Sequence, residues 1–186
     1  MIIMINGAFG AGKTTIANEL HKELENSMIY DPEVVGYMLR HVIPEKEKRM
    51  EAGTGDFQDL QLWRDLTVEV AKRLVGKYRV DLIVPMTIRK MDYFDVIKSG
   101  FEEIDEDTHH FCLTASKETI YKRLKARGEE EGNWCFQQTD KCLKAFQENN
   151  FGEYIDTENV SVGEVVGKIK EKLNIDEMGL LMNRSE

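Results

Sequence analysis

Residues 7–14 read GAFGAGKT, with glycines at 7, 10 and 12 followed by Lys13 and Thr14. This is the spacing of a phosphate-binding loop. Gly7, Gly10 and Gly12 let backbone N–H groups turn inward around phosphate oxygens, where a Cβ would block the approach. Ala8, Phe9 and Ala11 complete the cradle. Lys13 brings a mobile positive charge to the β and γ phosphates, and Thr14 a hydroxyl ligand for Mg²⁺. Thr15 is the neighbouring phosphate contact. The implied cofactors are ATP and Mg²⁺. The same loop serves kinases, motors, switches and passive nucleotide binders, so the remaining polar residues must discriminate among them.

Switch and motor proteins follow the loop with a strand that ends in an acid holding Mg²⁺ through water. Here the corresponding run, VDLIVPMT, has its acid (Asp81) at the start and ends in Pro85, Met86 and Thr87. The metal-facing or base role falls to Asp31, at the carboxyl end of the second expected strand. A plain helix cap before Pro32 is the competing role for Asp31. Arg123 and Arg127, four residues apart, share one helix face. They directly precede GEEEGNW (128–134), a polar segment suited to closing over a triphosphate. Lid arginines of this kind stabilise the charge of the transferring phosphoryl group, and lid closure excludes water. A solvated face is the alternative, since Lys122, Lys125 and Glu129 are nearby.

For the acceptor side the candidates are Arg40, Thr87, Arg89, and the neighbours Trp63 and Arg64, which together offer a stacking face and an anion contact. Trp134 falls in the expected lid or anchors it in the core. Asp156 and Thr157 either border the adenine or form a strand-end turn. The four histidines (21, 41, 109, 110) show no metal-ligand spacing, and Met86 and Met91 read as packing.

These groups need strands to carry them and helices to back the strands. MIIMI (1–5) is an unbroken apolar run ending at the glycine loop, as a central parallel strand would be. A helix is expected from about Lys13, a strand at 27–30, and a helix from Asp31-Pro32 to Pro44. The charged, glycine-containing stretch 45–56 reads as a mobile connection. Residues 57–78 carry Leu62, Leu66, Val70 and Leu74 as a helical stripe. Strands follow at 80–86 and 109–115, then a helix capped by Ser116, another at about 137–148, a strand at 153–157 and a helix at 162–173. Strands alternating with helices imply a mostly parallel sheet of about five strands with helices on both faces. The expected organisation is one domain over 1–174, with a small lid at about 128–136 and a frayed tail from 175 to 186.

A chain of 186 residues is long enough for one domain and short for two. The net charge of -9 disfavours polyanionic partners, so neither nucleic acid nor an anionic membrane surface is expected. Cys112, Cys135 and Cys142 are odd in number and lack metal spacing, which reads as reduced thiols. With no secretory signal or membrane span in view, a cytoplasmic protein is expected. The oligomeric state is left open.

MIIMINGAFGAGKTT, YDPEVVGYMLR, LIVPMTI and HHFCLTASKETIYKRLKAR together resemble the tunicamycin-resistance proteins of bacteria, within the P-loop kinase-like group. The similarity runs from residue 1 to about 170. The resemblance implies an ATP-binding protein with a nucleoside- or nucleotide-kinase-like fold, linked to resistance against a uridine-containing antibiotic. It further implies that Lys13, Thr14 and the loop glycines bind ATP and that Asp31 faces the acceptor. It agrees with Arg123 and Arg127 as lid arginines. The chain departs from the family in its tail, where few residues follow the last helix.

The resulting expectation is a three-layer α/β P-loop phosphotransferase that moves the γ-phosphoryl of ATP to a hydroxyl of a small, nucleoside-like acceptor. Lys13, Arg123 and Arg127 would neutralise charge, and Asp31 would orient or deprotonate the hydroxyl. The alternatives are a kinase of a non-nucleoside metabolite, such as a sugar acid, and an ATP-dependent protein that sequesters the antibiotic without modifying it.

Overall fold

The computed structural model describes residues 1–175. The apolar run at the start folds as β1 (Ile2–Gly7), buried along its whole length. Side-chain alternation sends Ile2 and Met4 to one face of the sheet and Ile3 and Ile5 to the other. β1 pairs in parallel with β3 (Asp81–Pro85) on one side and with β4 (Thr108–Thr114) on the other. β2 (Ser27–Ile29) and β5 (Glu153–Asp156) form the edges. The order is β2-β3-β1-β4-β5, parallel throughout the described residues, where a mostly parallel sheet of about five strands was expected.

Helices α1 (Lys13–Glu23) and α8 (Val162–Lys172) cover one face through Ile16, Leu20, Val166 and Ile169. The other face is covered by α2 (Glu33–Val42), α4 (Gln61–Tyr78), α5 (Met91–Ile104), α6 (Lys117–Ala126) and α7 (Trp134–Glu148). This is a three-layer α/β domain. Among the described residues no helix is long and apolar enough to cross a membrane. Ile175 packs into the α1/α8 layer, and the rest of the tail expected to fray lies outside the described residues.

Three local expectations need correcting. The stretch 45–56, read as a mobile connection, contains α3 (Glu45–Glu51), in which Glu45 pairs with Lys48 and Arg49 at 3.0 Å each. Pairs at this spacing support a short helix that buries nothing. The 87–108 stretch, for which no element was expected, holds α5, with Phe94, Ile97 and Phe101 buried at helical spacing. In α4 the fully buried positions are Trp63, Thr67 and Ala71, while Leu66, Val70 and Leu74 of the expected stripe pack partly buried against the core and Leu62 is 43% exposed. Gly100 of α5 lets the two helices approach closely, since a Cβ there would stand 2.6 Å from Val68.

One buried polar residue stitches the sheet's carboxyl edge together. Asn6, at the end of β1, accepts from the N–H groups of Gly7 (2.8 Å) and Ile88 (2.9 Å) and donates to the Ile88 carbonyl (2.9 Å). The glycine loop is thereby fixed to the turn that follows β3.

Removing the Asn6 amide leaves these backbone groups buried without partners, so Asn6→Ala should cost about 2–4 kcal/mol of unfolding free energy. The space beside two helical glycines makes opposite forecasts. Gly100→Ala should destabilise by about 1–3 kcal/mol, whereas Gly167→Ala in α8, with no heavy atom within 4 Å, should stabilise by about 0.5–1 kcal/mol. Urea titrations of the three variants check both statements.

Candidate active site

The loop between β1 and α1 is held from below and open above. A Cβ on Gly10 (φ +84°) would meet the Ile120 carbonyl at 3.1 Å, so glycine is needed where the loop packs on α6. Gly12 (φ +99°) faces open space, with nothing within 4 Å of where its Cβ would be. Gly12 is also the N-cap of α1 and offers no side-chain cap. The first-turn N–H groups of α1 are therefore left for an anion, at the positive end of the helix dipole. Lys13 reaches back to donate to the Ala8 carbonyl at 2.9 Å, 5.6 Å from the centre of the Phe9 ring. Desolvation lowers its pKa, opposed by the Glu33 carboxylate. Thr14 and Thr15 are exposed on the first turn.

Three chambers meet at this loop. The middle one, of about 130 Å³, is lined by Gly12, Lys13, Thr14, Asp31, Glu33 and Arg127, among others. On one side lies a chamber of about 350 Å³ bounded by Thr15, Arg123, Arg127, Thr157 and Val162. On the other lies one of about 330 Å³ bounded by Phe9, Glu33, Tyr37, Arg40, Arg89 and Trp134. Arg127, Gly10 and Gly12 belong to the first two, and Phe9 and Glu33 to the middle and the third. The chambers thus form one continuous cleft along the carboxyl ends of the strands, where ligands of open α/β sheets bind.

The structure brings together Lys13, Thr14, Asp31 and Arg127 as expected from the sequence; both arginines line the chamber of about 350 Å³, but only Arg127 also reaches the middle one. Arg123 is pinned to Thr157, donating to its hydroxyl (3.0 Å) and its carbonyl (2.7 Å), outside the chamber that Asp31 and Glu33 line. The Arg127 side chain, one turn on, has no hydrogen-bond or ion-pair partner among the described residues and reaches the middle chamber. Asp31 accepts from the Glu33 N–H at 2.9 Å, so it shapes the entry to α2 while lining the middle chamber.

Arg40, Thr87 and Arg89 line the third chamber. Trp63 and Arg64 do not. Trp63 is fully buried and donates its indole N–H to the Pro32 carbonyl at 3.0 Å, so its place is in the core beneath α2. Arg64 donates to the Gln58 and Asp59 carbonyls and lies 4.3 Å from the Tyr93 ring centre, bracing the loop before α4. The segment expected as a lid is shorter than 128–136, because Trp134 to Phe136 form the first turn of α7, capped by Asn133. Trp134 is 53% exposed, and its ring meets Phe9 edge-on at 5.2 Å. Thr157 lines the first chamber beside Arg123.

Sequence reasoning missed Glu33. It sits two residues after Asp31 in the DPE run, but its position one helical step further on is what turns it toward both chambers. Burial raises its pKa, and Asp31 adds to the effect, with Lys13 opposing. Asp56, Phe57 and Gln58 were also missed. They belong to the loop before α4, which Lys90 and Tyr93 hold through Asp59.

In three-dimensional comparison the chain is similar to the Deinococcus radiodurans tunicamycin resistance protein, with a TM-score of 0.76 and 28% identity, over 94% of this chain and 96% of that one. The resemblance read from the sequence is thereby borne out. The chain also matches a gluconokinase from Sinorhizobium meliloti (TM-score 0.63, 18% identity, 92% and 90% covered). A deoxyadenosine kinase from M. mycoides matches at a TM-score of 0.52 and 18% identity, with 94% and 100% covered. At such identities the two kinases establish the fold alone, which is P-loop kinase-like. No curated protein sequence matches. A model of the AAA domain matches residues 3–156, and with so much of the chain and its phosphate loop inside that match, the protein belongs to the AAA domain family.

Proposed function

We propose that the chain transfers the γ-phosphoryl group of ATP to a hydroxyl of a small, nucleoside-like molecule. The observation that carries this reading is the shared lining of the three chambers. A passive nucleotide binder needs only the first two, whereas here a third opens onto the same phosphate site across Glu33. Aromatic walls from Phe9, Tyr37, Phe57 and Trp134 suit a flat ring. The likeness to a tunicamycin resistance protein supports a nucleoside-like antibiotic as acceptor, with resistance as the biological outcome.

In this reading Lys13 and Arg127 hold the β and γ phosphate oxygens, and Arg123 with Thr157 lies beside the nucleoside of ATP. Thr14 and Asp31 would hold Mg²⁺, which supplies further neutralisation of phosphate charge. Their oxygens border one chamber with Lys13, a donor set suited to a hard cation beside a polyphosphate. The acceptor oxygen bonds to the γ-phosphorus as the bond from that phosphorus to the bridging β-oxygen breaks. The electron pair leaves with ADP. The hydroxyl proton passes to the Glu33 carboxylate, whose raised pKa brings it nearer neutrality, as general base catalysis favours. Asp31 orients the hydroxyl. The segment 128–133, within a single domain, closes over the phosphates as the lid. The rival reading, sequestration of the antibiotic without chemistry, predicts tight acceptor binding and no ADP.

Turnover of ATP with a panel of nucleosides and sugar acids tests the proposal. Glu33→Gln should lower kcat by about 10²–10⁴-fold while leaving ATP affinity within about threefold. Because Glu33 must be ionised to act, wild-type turnover should fall as pH drops through a pKa above the ordinary carboxylate range. Unchanged turnover in the Gln variant would remove Glu33 from the chemistry. The two arginines give a second test. Arg127→Ala should lower kcat by at least about 10²-fold, whereas Arg123→Ala should mainly raise the KM for ATP. Equal losses of kcat in both would contradict the division of labour.

A further inference from the structure

We propose that the acceptor carries an anionic group, a phosphate or a carboxylate, held at the arginine end of the third chamber by Arg40, Arg89 and the hydroxyl of Thr87. The inference rests on the proposed transfer reaction and adds the charge class of its acceptor.

The chamber is polarised along its length. Glu33 stands at the end shared with the phosphate loop, while Arg40 from α2 and Arg89 from the turn after β3 line the opposite part. Both guanidinium groups are under-used. Arg40 donates to one backbone carbonyl, that of Gly55 at 3.2 Å, and otherwise lies 5.0 Å from the centre of the Phe57 ring. Arg89 faces Asp56 at 3.9 Å, a separation too long for a hydrogen bond. A guanidinium has five donors, so most remain for a ligand. Thr87, 6% exposed and lining the same chamber, has a buried hydroxyl with no hydrogen-bond partner among the described residues. An orphaned buried hydroxyl is costly unless a ligand completes it.

The acids in the chamber do not cancel this end. Asp56 already accepts from the Gln58 N–H at 3.0 Å through one oxygen, and its other oxygen makes only the long contact to Arg89. Glu33 lies at the phosphate-loop end. A hydroxyl at the acid end and an anion at the arginine end therefore describe one molecule lying along the cleft. A chamber of about 330 Å³ is at the small end of the range for ligand sites and admits one such molecule, not a polymer.

Calorimetric titration of matched pairs tests this, with the nucleotide chambers filled by a non-hydrolysable ATP analogue and Mg²⁺. The pairs are uridine against its 5′-monophosphate, and glucose against gluconate. In at least one pair the anion should bind about tenfold or more tightly than its neutral partner. Arg40→Gln and Arg89→Gln should each weaken the anion by about 10–100-fold while moving the neutral compound less than about threefold. Asp56→Asn, which removes the competing carboxylate, should tighten the anion a few-fold, and retained analogue binding certifies the fold of every variant. The pair that shows the gap distinguishes phosphate from carboxylate. Equal affinities within both pairs, or a gap that both arginine variants retain, would overturn the proposal. ADP release with ATP in place of the analogue reports separately on transfer, so an anion site without chemistry would be recognised as such.

Discussion

The arrangement of the cleft depends on the three hydrogen bonds of Asn6. It is buried at the end of the central strand, where an unpaired amide would be expensive. By bonding Gly7 on one side and Ile88 on the other it locks the phosphate loop to the segment that carries Thr87 and Arg89. Together with the β1–β3 backbone ladder, that side chain ties the glycine loop to the wall of the third chamber. The proposed in-line transfer would need that rigidity, since small misplacements of the reacting atoms are expensive.

Charge is arranged around the same joint. Lys13 and Glu33 sit on either side of the middle chamber, each desolvated and each opposing the other's shift. Desolvation strengthens the attraction between these two charges, because little water remains to screen it. Arg127 adds a cation without a protein partner among the described residues, whereas Arg123 is spent on the Thr157 turn. One helix face thus supplies a free charge and a structural one, divided by a single turn.

Much of this was legible in the sequence, and the failures have physical causes. The apolar run before GAFGAGKT could hardly be anything but a strand covered on both faces, and it is β1. Spacing placed Arg123 and Arg127 on a common face correctly, but spacing cannot say which partner each would find across the cleft. Trp63 was drawn to the acceptor side by its neighbour Arg64. In the fold it is buried, because α4 packs on the sheet through Trp63, Thr67 and Ala71, one position away from the leucine stripe. Thr67 and Ala71 share that contact with Trp63, and a pattern read from large apolar residues undervalues such small ones. Glu33 was masked by Asp31, which has the stronger local signature before a proline. The loop at 56–58 has no periodicity of its own and is fixed by distant residues, Thr87 and Lys90 among them.

The central claim is that the cleft joins a phosphate donor to a small acceptor across Glu33. Mass spectrometry of candidate acceptors incubated with Mg²⁺ and ATP labelled with ¹⁸O in the γ-phosphoryl group tests this most directly. The account predicts an acceptor heavier by one labelled phosphoryl group, with ADP formed in equal amount. Recovery of a bound but unaltered acceptor, with no ADP, would contradict it.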